Sequence, residues 1–439
     1  MKASDHENDI YDIVGIGFGP ANLALAIAVA EYNEQHLQER PIRACFVERQ
    51  QGFGWHRGML LEGTTMQIAF PKDLATFRNP TSKFGFLPYL FDRERLVDFV
   101  NHQTFFPTRH EFHDYLEWAA EKVAADVRYG RTVQRVRAAH DEHGAGGHVI
   151  VETTDGLQIA TRNVSFGAGL QQRIPEWATP SRRCFHNHQF LFRIAELPEP
   201  VHNRFVVLGA GQSAAEVVQY LHTNFPDAEV HSVFSRFGYS PADDSPYANR
   251  IFDPAAVDEL HSAPDDERRK VIELHRSTNY SVVDLDLINE LYKTEYQERV
   301  RGQRRLFMRR ASDVVGIREL EDGIEVEVRS NLDGLTDALP CDAIVLATGF
   351  LPTPMSSIFG DLVDDTAGPV VVARDYRVAT RTDVDAGIYL QGGTENSHGL
   401  TSSLLSNVAI RSGEIVRSIV ERRECAGERD SDAQSFARA

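Results

Sequence analysis

At 439 residues, with 42% hydrophobic and 25% charged side chains, the chain is long enough for two or three domains with cores of their own and has no disordered composition. Its 64 acidic against 46 basic residues give a formal net charge of -18. That argues against a general surface for nucleic acid or an anionic membrane, while a few local donors can still hold an anionic cofactor.

No apolar run reaches the length of a membrane span, and the polar start MKASDHENDI lacks the apolar stretch of a secretory signal, so a cytoplasmic location is expected. Residues 11–15 (YDIVG) read as a buried strand, 21–32 as a helix and 42–48 (IRACFVE) as a second strand. Strand, glycine turn, helix and strand in that order open a doubly wound fold. Residues 61–90 carry aromatics, prolines and glycines without a period, as a shaped loop over a site does. Residues 110–123 form an amphipathic helix, with Phe112, Leu116 and Ala119 at helical spacing. Alternating segments come next over 127–168, broken by a hairpin turn at 140–147 (HDEHGAGG), and VSFGAG at 164–169 is a strand ending near the first glycine turn. A second cycle begins after Pro198, with a strand at 204–209, a turn, a helix at 216–223 and a strand at 229–235. Helices near 264–275 and 284–298, an alternating segment at 313–329, buried strands at 342–350 and 386–390, and a long helix at 399–420 complete the fold. The tail from Glu421 is expected to fray.

The first turn is Gly15-Ile16-Gly17-Phe18-Gly19-Pro20. Its glycines permit a tight turn and close approach to a pyrophosphate, and the helix N-terminus offers N–H groups and a favourable dipole. Pro20 stands where the usual pattern has its last glycine, and a helix's first turn tolerates it. Glu48, at the end of the second strand, can accept from a ribose diol. The second turn is Gly209-Ala210-Gly211-Gln212-Ser213-Ala214. The strand after it ends at Ser235-Arg236 with no acidic residue, and Arg236 can neutralise a 2′-phosphate, which favours NADPH; a plain surface arginine is the competing reading. Two cradles on one chain suggest hydride transfer between two dinucleotides, one of them a flavin. Thr348 and Gly349, after an apolar strand, resemble a second flavin-contacting segment.

The expected fold is therefore α/β, with two Rossmann-like dinucleotide-binding domains, one inserted in the other. Residues 1–198 and 342–420 make the outer domain, 199–241 and 301–341 the inserted one, and 242–300 a smaller, mostly helical substrate region; 421–439 form a disordered tail. Cys45, Cys184, Cys341 and Cys425 form no CxxC pair, so neither a zinc knuckle nor a redox dithiol is expected, and no disulfide is required. His186 and His188, in HNH, have no neighbouring ligand set in sequence, so no metal site is expected.

Longer stretches are more specific: GFGPANLALA (17–26), WHRGMLL (55–61), MQIAFPKDLATFRNPTS (66–82), ADDSPYANRIFDP (242–254), TNYSVVD (278–284) and GGTENSHGLTSSLLSNVAIRSGE (392–414). On these the chain resembles the siderophore-type N-hydroxylating flavoprotein monooxygenases, in particular the microbial L-ornithine N5-monooxygenases. The resemblance implies FAD in the outer domain, NADPH in the inserted one and an amine substrate between them. It implies that Trp55 and His56 lie against the flavin, that Gln67 sits at its reactive edge, and that Lys72 pairs with the substrate α-carboxylate. Asn249 would bond the amino-acid end, Asn279 both substrate and nicotinamide, and Ser406 would lie near the substrate amine. Pro71 stands where the family usually has leucine, which could move Lys72. The implied cycle passes oxygen from a C4a-hydroperoxyflavin to the terminal amine, with NADP+ retained, and yields a hydroxamate precursor for a siderophore or related product; a homotetramer is implied as well. The residue chemistry agrees, since a zwitterionic amino acid needs a cation and neutral donors around it.

L-Lysine and the diamines putrescine and cadaverine are the alternative substrates, and a diamine would leave Lys72 without a carboxylate. A Baeyer–Villiger or sulfur monooxygenase would carry FxGxxxHxxxW/P, whereas residues 166–177 read FGAGLQQRIPEW, with Gln172 at the histidine position. The missing CxxC disfavours a flavin disulfide reductase. A non-enzymatic redox sensor would bind the cofactors without amine-dependent oxygenation.

Overall fold

The computed structural model describes residues 10–139, 147–197, 203–366, 368–380 and 384–436. Two five-stranded parallel sheets organise them. In the first, the strands run in the order Gly387–Leu390, Asn163–Phe166, Ile13–Ile16, Ala44–Val47, Asp126–Arg128. In the second, the order is Leu306–Arg309, Glu229–Val233, Arg204–Leu208, Ala343–Leu346, Cys184–His186. The interior strands IVGI and AIVL, neither at a sheet edge, are buried along their whole length, as apolar runs must be when a parallel sheet is covered on both faces.

Each sheet has helices on one face and a three-stranded antiparallel sheet on the other. On the first, Pro20–Gln35, Arg109–Lys122 and Val408–Phe436 supply Leu23, Ile27, Phe112, Leu116, Ile415 and Ile419 to one core. Val136, Val149 and Val151 from the antiparallel sheet over 133–161 close the other face. On the second, Gln212–Asn224 and Leu285–Arg301 bury Val217, Leu221, Leu287 and Leu291, opposite Val314, Ile324 and Val326 of the antiparallel sheet over 312–341.

The structure moves the expected boundaries. Leu170–Gln172 pairs antiparallel with Phe350–Pro352, so the chain leaves the outer domain and re-enters it side by side, near residues 172 and 350. The strands Cys184–His186 and Ala343–Leu346, assigned from sequence to the outer domain, therefore belong to the inserted sheet, where they pair with each other. An apolar strand reads alike in either sheet; only its long-range partner decides. Likewise the helix Leu285–Arg301 packs into the inserted core rather than the substrate region. What remains separate is the small cluster Ile251, Leu260 and Leu400, which joins the helices Pro254–Ser262 and Asp265–Leu274 to the segment after Glu395. Within the expected helix over 399–420 the chain first makes two short turns, Leu400–Ser403 and Leu405–Asn407, which follow the turn Glu395–His398, and a regular helix runs only over Val408–Phe436. That helix extends to Phe436, into the segment expected to fray. Most of the expected hairpin turn at 140–147 lies outside the described residues.

Candidate functional site: two cradles and a polar corner

The first cradle sits at the C-terminal end of Ile13–Ile16. Gly17 adopts φ 85, and a Cβ there would lie 2.5 Å from the Gly167 carbonyl oxygen, so both conformation and space exclude a side chain. A Cβ on Gly19, by contrast, would meet nothing within 4 Å. The helix Pro20–Gln35 starts there with no side-chain cap and no acidic residue in its first turn. Open space before an uncapped helix N-terminus is what a pyrophosphate requires. Glu48 is buried beside the turn, with Oε2 accepting from the Phe18 N–H at 2.7 Å and Oε1 from the Gln50 N–H at 2.8 Å. Asn22, unremarked in the sequence, braces the cradle: its Nδ2 donates to the Gly17 oxygen at 2.7 Å and its Oδ1 accepts from Ser165 Oγ at 2.7 Å. Its only sequence signal is an amide inside the apolar run PANLALA.

The second cradle repeats the construction. Gly209 has φ 147, with a Cβ position 2.3 Å from the Ala347 oxygen, and Gly211 opens the helix Gln212–Asn224 without a side-chain cap. Ser213 lies in that helix's first turn, and Ala214 is buried. Ser281 flanks the cradle: its Cα is 3.6 Å from the Gly211 Cβ position, and its carbonyl accepts from Arg236 Nη1 at 2.7 Å. Arg236 itself is exposed beside the cradle. Asn279, two residues before Ser281, ends the turn Arg276–Thr278.

Beside the crossover strand Phe350–Pro352 lies an aromatic wall. The Trp55 and His56 rings meet edge to face at 4.7 Å, and His56 approaches His188 at 5.3 Å and Phe350 at 6.0 Å. His56 adopts the left-handed φ 49. Burial, then His188 and Arg109, push its pKa down to about 4, and burial holds His186 at about 4 and lowers His188 too. These imidazoles are neutral at physiological pH, and among the described residues no cluster of histidine, cysteine and carboxylates could hold a metal. Thr348 and Gly349 do not end a strand of the first sheet as expected. They lie at the crossover, where Thr348 Oγ1 donates to the Arg173 oxygen and the Gly349 oxygen accepts from the Arg173 N–H at 3.0 Å. The strand before them is in the inserted sheet, and they lead into Phe350 beside His56.

Of the remaining predicted residues, Lys72, Asn249 and Ser406 come together around one turn. Gln67 is exposed on a loop pinned by Met66 N–H to the Pro107 oxygen at 2.9 Å and Phe70 N–H to the Phe105 oxygen at 2.8 Å. Pro71 does not break the turn, because the Lys72 N–H donates to the Ala69 oxygen at 2.9 Å. Asp73, missed in the sequence, organises the next stretch of chain by accepting from the Ala75, Thr76 and Phe86 N–H groups. Lys72 is half-buried, and burial lowers its pKa against the opposing pull of Asp253. Asp253 directly follows the turn Ala248–Phe252, which carries Asn249. Asn249 Nδ2 donates to the Asp244 oxygen at 2.8 Å. Thr401 Oγ1 donates to the Phe252 oxygen at 3.3 Å and lies 3.4 Å from Ser406 Oγ, so buried Ser406 backs the same turn. Asn279 precedes Tyr280, whose hydroxyl donates to Glu395.

Comparison with known proteins identifies the family and the fold. The family model described as L-lysine 6-monooxygenase/L-ornithine 5-monooxygenase matches residues 9–352. An L-ornithine N(5)-monooxygenase of Burkholderia cepacia is 39% identical over 433 residues, covering 96% of each chain. The ornithine N-hydroxylase of Kutzneria sp. 744, solved with reduced FAD, NADP+ and L-ornithine, is 42% identical with a TM-score of 0.89, covering 94% of this chain and 100% of its own. The L-lysine 6-monooxygenase of Pseudomonas syringae is 34% identical with a TM-score of 0.82, covering 94% and 99%. The chain belongs to the L-lysine 6-monooxygenase/L-ornithine 5-monooxygenase family.

Proposed function

We propose that the protein uses NADPH and O2 to hydroxylate the N5 amine of L-ornithine, with FAD in the first cradle and NADPH in the second, supplying a hydroxamate precursor for a siderophore or related product. The observation that carries the substrate is the corner where Lys72 meets the Asn249 turn, in a chain 42% identical to an ornithine N-hydroxylase. The cradles fit their cofactors: each pairs a glycine that has no room for a side chain with a helix start that nothing caps. FAD, when bound, supplies the redox and oxygen chemistry, and the chain supplies placement and dryness.

Lys72 pairs with the α-carboxylate, which restores to its half-buried ammonium the opposite charge that burial demands. Asn249 and Asn279 bond the amino-acid end, Asn279 and Gln67 orient the reacting groups at the flavin edge, and Ser406 supports the pocket from behind. Trp55 and the neutral His56 line the flavin side, and Thr348 and Gly349 join that wall to the crossover. Gly15, Gly17, Gly19, Pro20 and Glu48 hold FAD; Gly209, Gly211, Ser213 and Arg236 hold NADPH. The substrate amine must lose its proton to act as a nucleophile, at a cost of about 3 kcal/mol from pKa ~10.4 at pH ~8. A wall of imidazoles held neutral by burial favours the uncharged amine without a dedicated base.

The second reading is L-lysine N6-hydroxylation, favoured by the likeness to the Pseudomonas syringae enzyme. Purified enzyme assayed for NADPH oxidation and hydroxylamine with ornithine, lysine and putrescine separates these. Ornithine should give the highest product yield. Equal product from putrescine would remove the carboxylate role of Lys72, and peroxide alone with every amine would overturn the substrate class. No helix among the described residues is long and apolar enough to cross a membrane. Action in the cytoplasm as a homotetramer is part of the same proposal, checked by fractionation and light scattering.

A further inference from the structure

One buried ion pair takes no part in the chemistry above, yet it joins the outer domain to the second cradle. Arg109 opens the helix Arg109–Lys122 of the outer domain, and Glu216 lies in the helix that begins the second cradle. Arg109 donates from Nη1 to Glu216 Oε2 and from Nη2 to Oε1, both at 2.7 Å, with side-chain exposures of only 15% and 3%. Glu216 Oε1 also accepts from Gln212 Nε2 at 2.9 Å, and Gln212 Oε1 accepts from the Asp284 N–H at 2.8 Å. Gln212 is itself a cradle residue. On the other side, the Arg109 N–H donates to the Thr64 oxygen at 3.0 Å, which ties the pair to the loop that continues to Gln67 and Lys72. Arg109 is also close enough to His56 for its charge to depress that imidazole's pKa.

An exposed pair at this spot would contribute little. A bidentate guanidinium–carboxylate pair withdrawn from water is different, because two parallel hydrogen bonds fix direction as well as distance, and removing one partner strands a buried charge. The peptide links between the domains are two adjacent strands, Leu170–Gln172 and Phe350–Pro352, which by themselves permit rotation. The pair adds a side-chain link between the domains to these two strands and resists the rotation.

We propose that Arg109 and Glu216, with Gln212, are positioning residues that hold the second cradle against the flavin side, so that NADP+ stays in place after hydride transfer. The proposal rests on the reading of NADPH as reductant. Early loss of NADP+ would open the flavin to water, and the two electrons taken from NADPH would then go to O2 as hydrogen peroxide instead of to hydroxylamine and water.

The test uses FAD-loaded enzyme in the forms Arg109→Met, Arg109→Lys, Glu216→Gln and the exchanged pair R109E/E216R. Three quantities are read: NADP+ affinity by calorimetry, the share of NADPH recovered as peroxide with ornithine present, and amide hydrogen exchange over residues 209–216 without nicotinamide. Arg109→Met and Glu216→Gln should bind NADP+ roughly tenfold more weakly, release more peroxide and exchange faster over the cradle, with the KM for ornithine little changed. Arg109→Lys should fall between, and the exchanged pair should recover protection. Unaltered NADP+ affinity and peroxide yield in folded, FAD-loaded Arg109→Met would overturn the proposal. So would loss of FAD or folding in both Arg109→Met and Glu216→Gln, which would make the pair a support of the fold alone. A parent enzyme that does not oxidise NADPH would defeat the functional reading instead, while the exchange comparison would still report on the pair.

Discussion

Lys72 is half withdrawn from water, and an ammonium in that setting gains most when a carboxylate arrives. Lys72→Met should therefore raise the KM for ornithine by roughly thirtyfold, the equivalent of about 2 kcal/mol for one charge-assisted contact. FAD content and NADPH oxidation without substrate should stay near parent values, and weak turnover of putrescine should not fall. A comparable loss with putrescine would place Lys72 outside the carboxylate site. The buried histidines make a second prediction at this scale. His186, His231 and His398 are nearly inaccessible and their pKa values are pushed down to about 4 by burial. The unfolded chain takes up these protons near pH 6.5 whereas the folded one waits until about 4, so stability is full above the higher value and drains away as pH falls between the two. The Tm should drop on going from pH 7.5 to pH 5, by a stability change on the order of 1 kcal/mol per histidine. A Tm that held steady or rose would contradict it.

The two cradles can be separated by single glycines. Gly17→Ala would force a Cβ to 2.5 Å from the Gly167 oxygen in a left-handed conformation that alone costs about 1 kcal/mol or more. Purified Gly17→Ala should lose most of its bound FAD, read from the flavin absorbance per chain. Gly209→Ala, in the inserted domain, meets the Ala347 oxygen at 2.3 Å and should keep FAD while raising the KM for NADPH. Loss of FAD in both would mean that the cradles do not divide the cofactors in this way. Both glycine turns were legible in the sequence because they depend on residues adjacent in the chain. Asn22 and Asp73 were not, since their partners, Ser165 for Asn22 and Phe86 for Asp73, become neighbours only when distant segments fold together. The end of the chain misled for a related reason: Gly399 and the short turns after it interrupt a stretch whose apolar residues alone read as one helix.

At the scale of the whole molecule, the helical region that carries Asn249 is fastened to the outer domain by Arg374. Its Nε donates to Asp258 at 2.6 Å, while Nη1 and Nη2 grip Glu414 at 2.9 Å each. Arg374→Met should loosen the Asn249 turn, raising the KM for ornithine several-fold while leaving FAD content and the KM for NADPH close to parent values. An equal effect on NADPH would show that the fastening serves the whole molecule rather than the substrate corner. Arg109 and Arg374 thus hold different bodies against the outer domain, the first the NADPH cradle and the second the substrate region.

The sequence by itself determined the α/β class, the two glycine cradles with their order along the chain, and the family, because turns, helix starts and long matched stretches are local properties that neighbouring residues carry. Only the tertiary structure decided where one domain ends and the other begins. The strands Cys184–His186 and Ala343–Leu346 are apolar enough for either sheet. Their pairing, Ile344 against Cys184 and Leu346 against His186, joins residues far apart in the chain and depends on the crossover at Leu170–Gln172 and Phe350–Pro352.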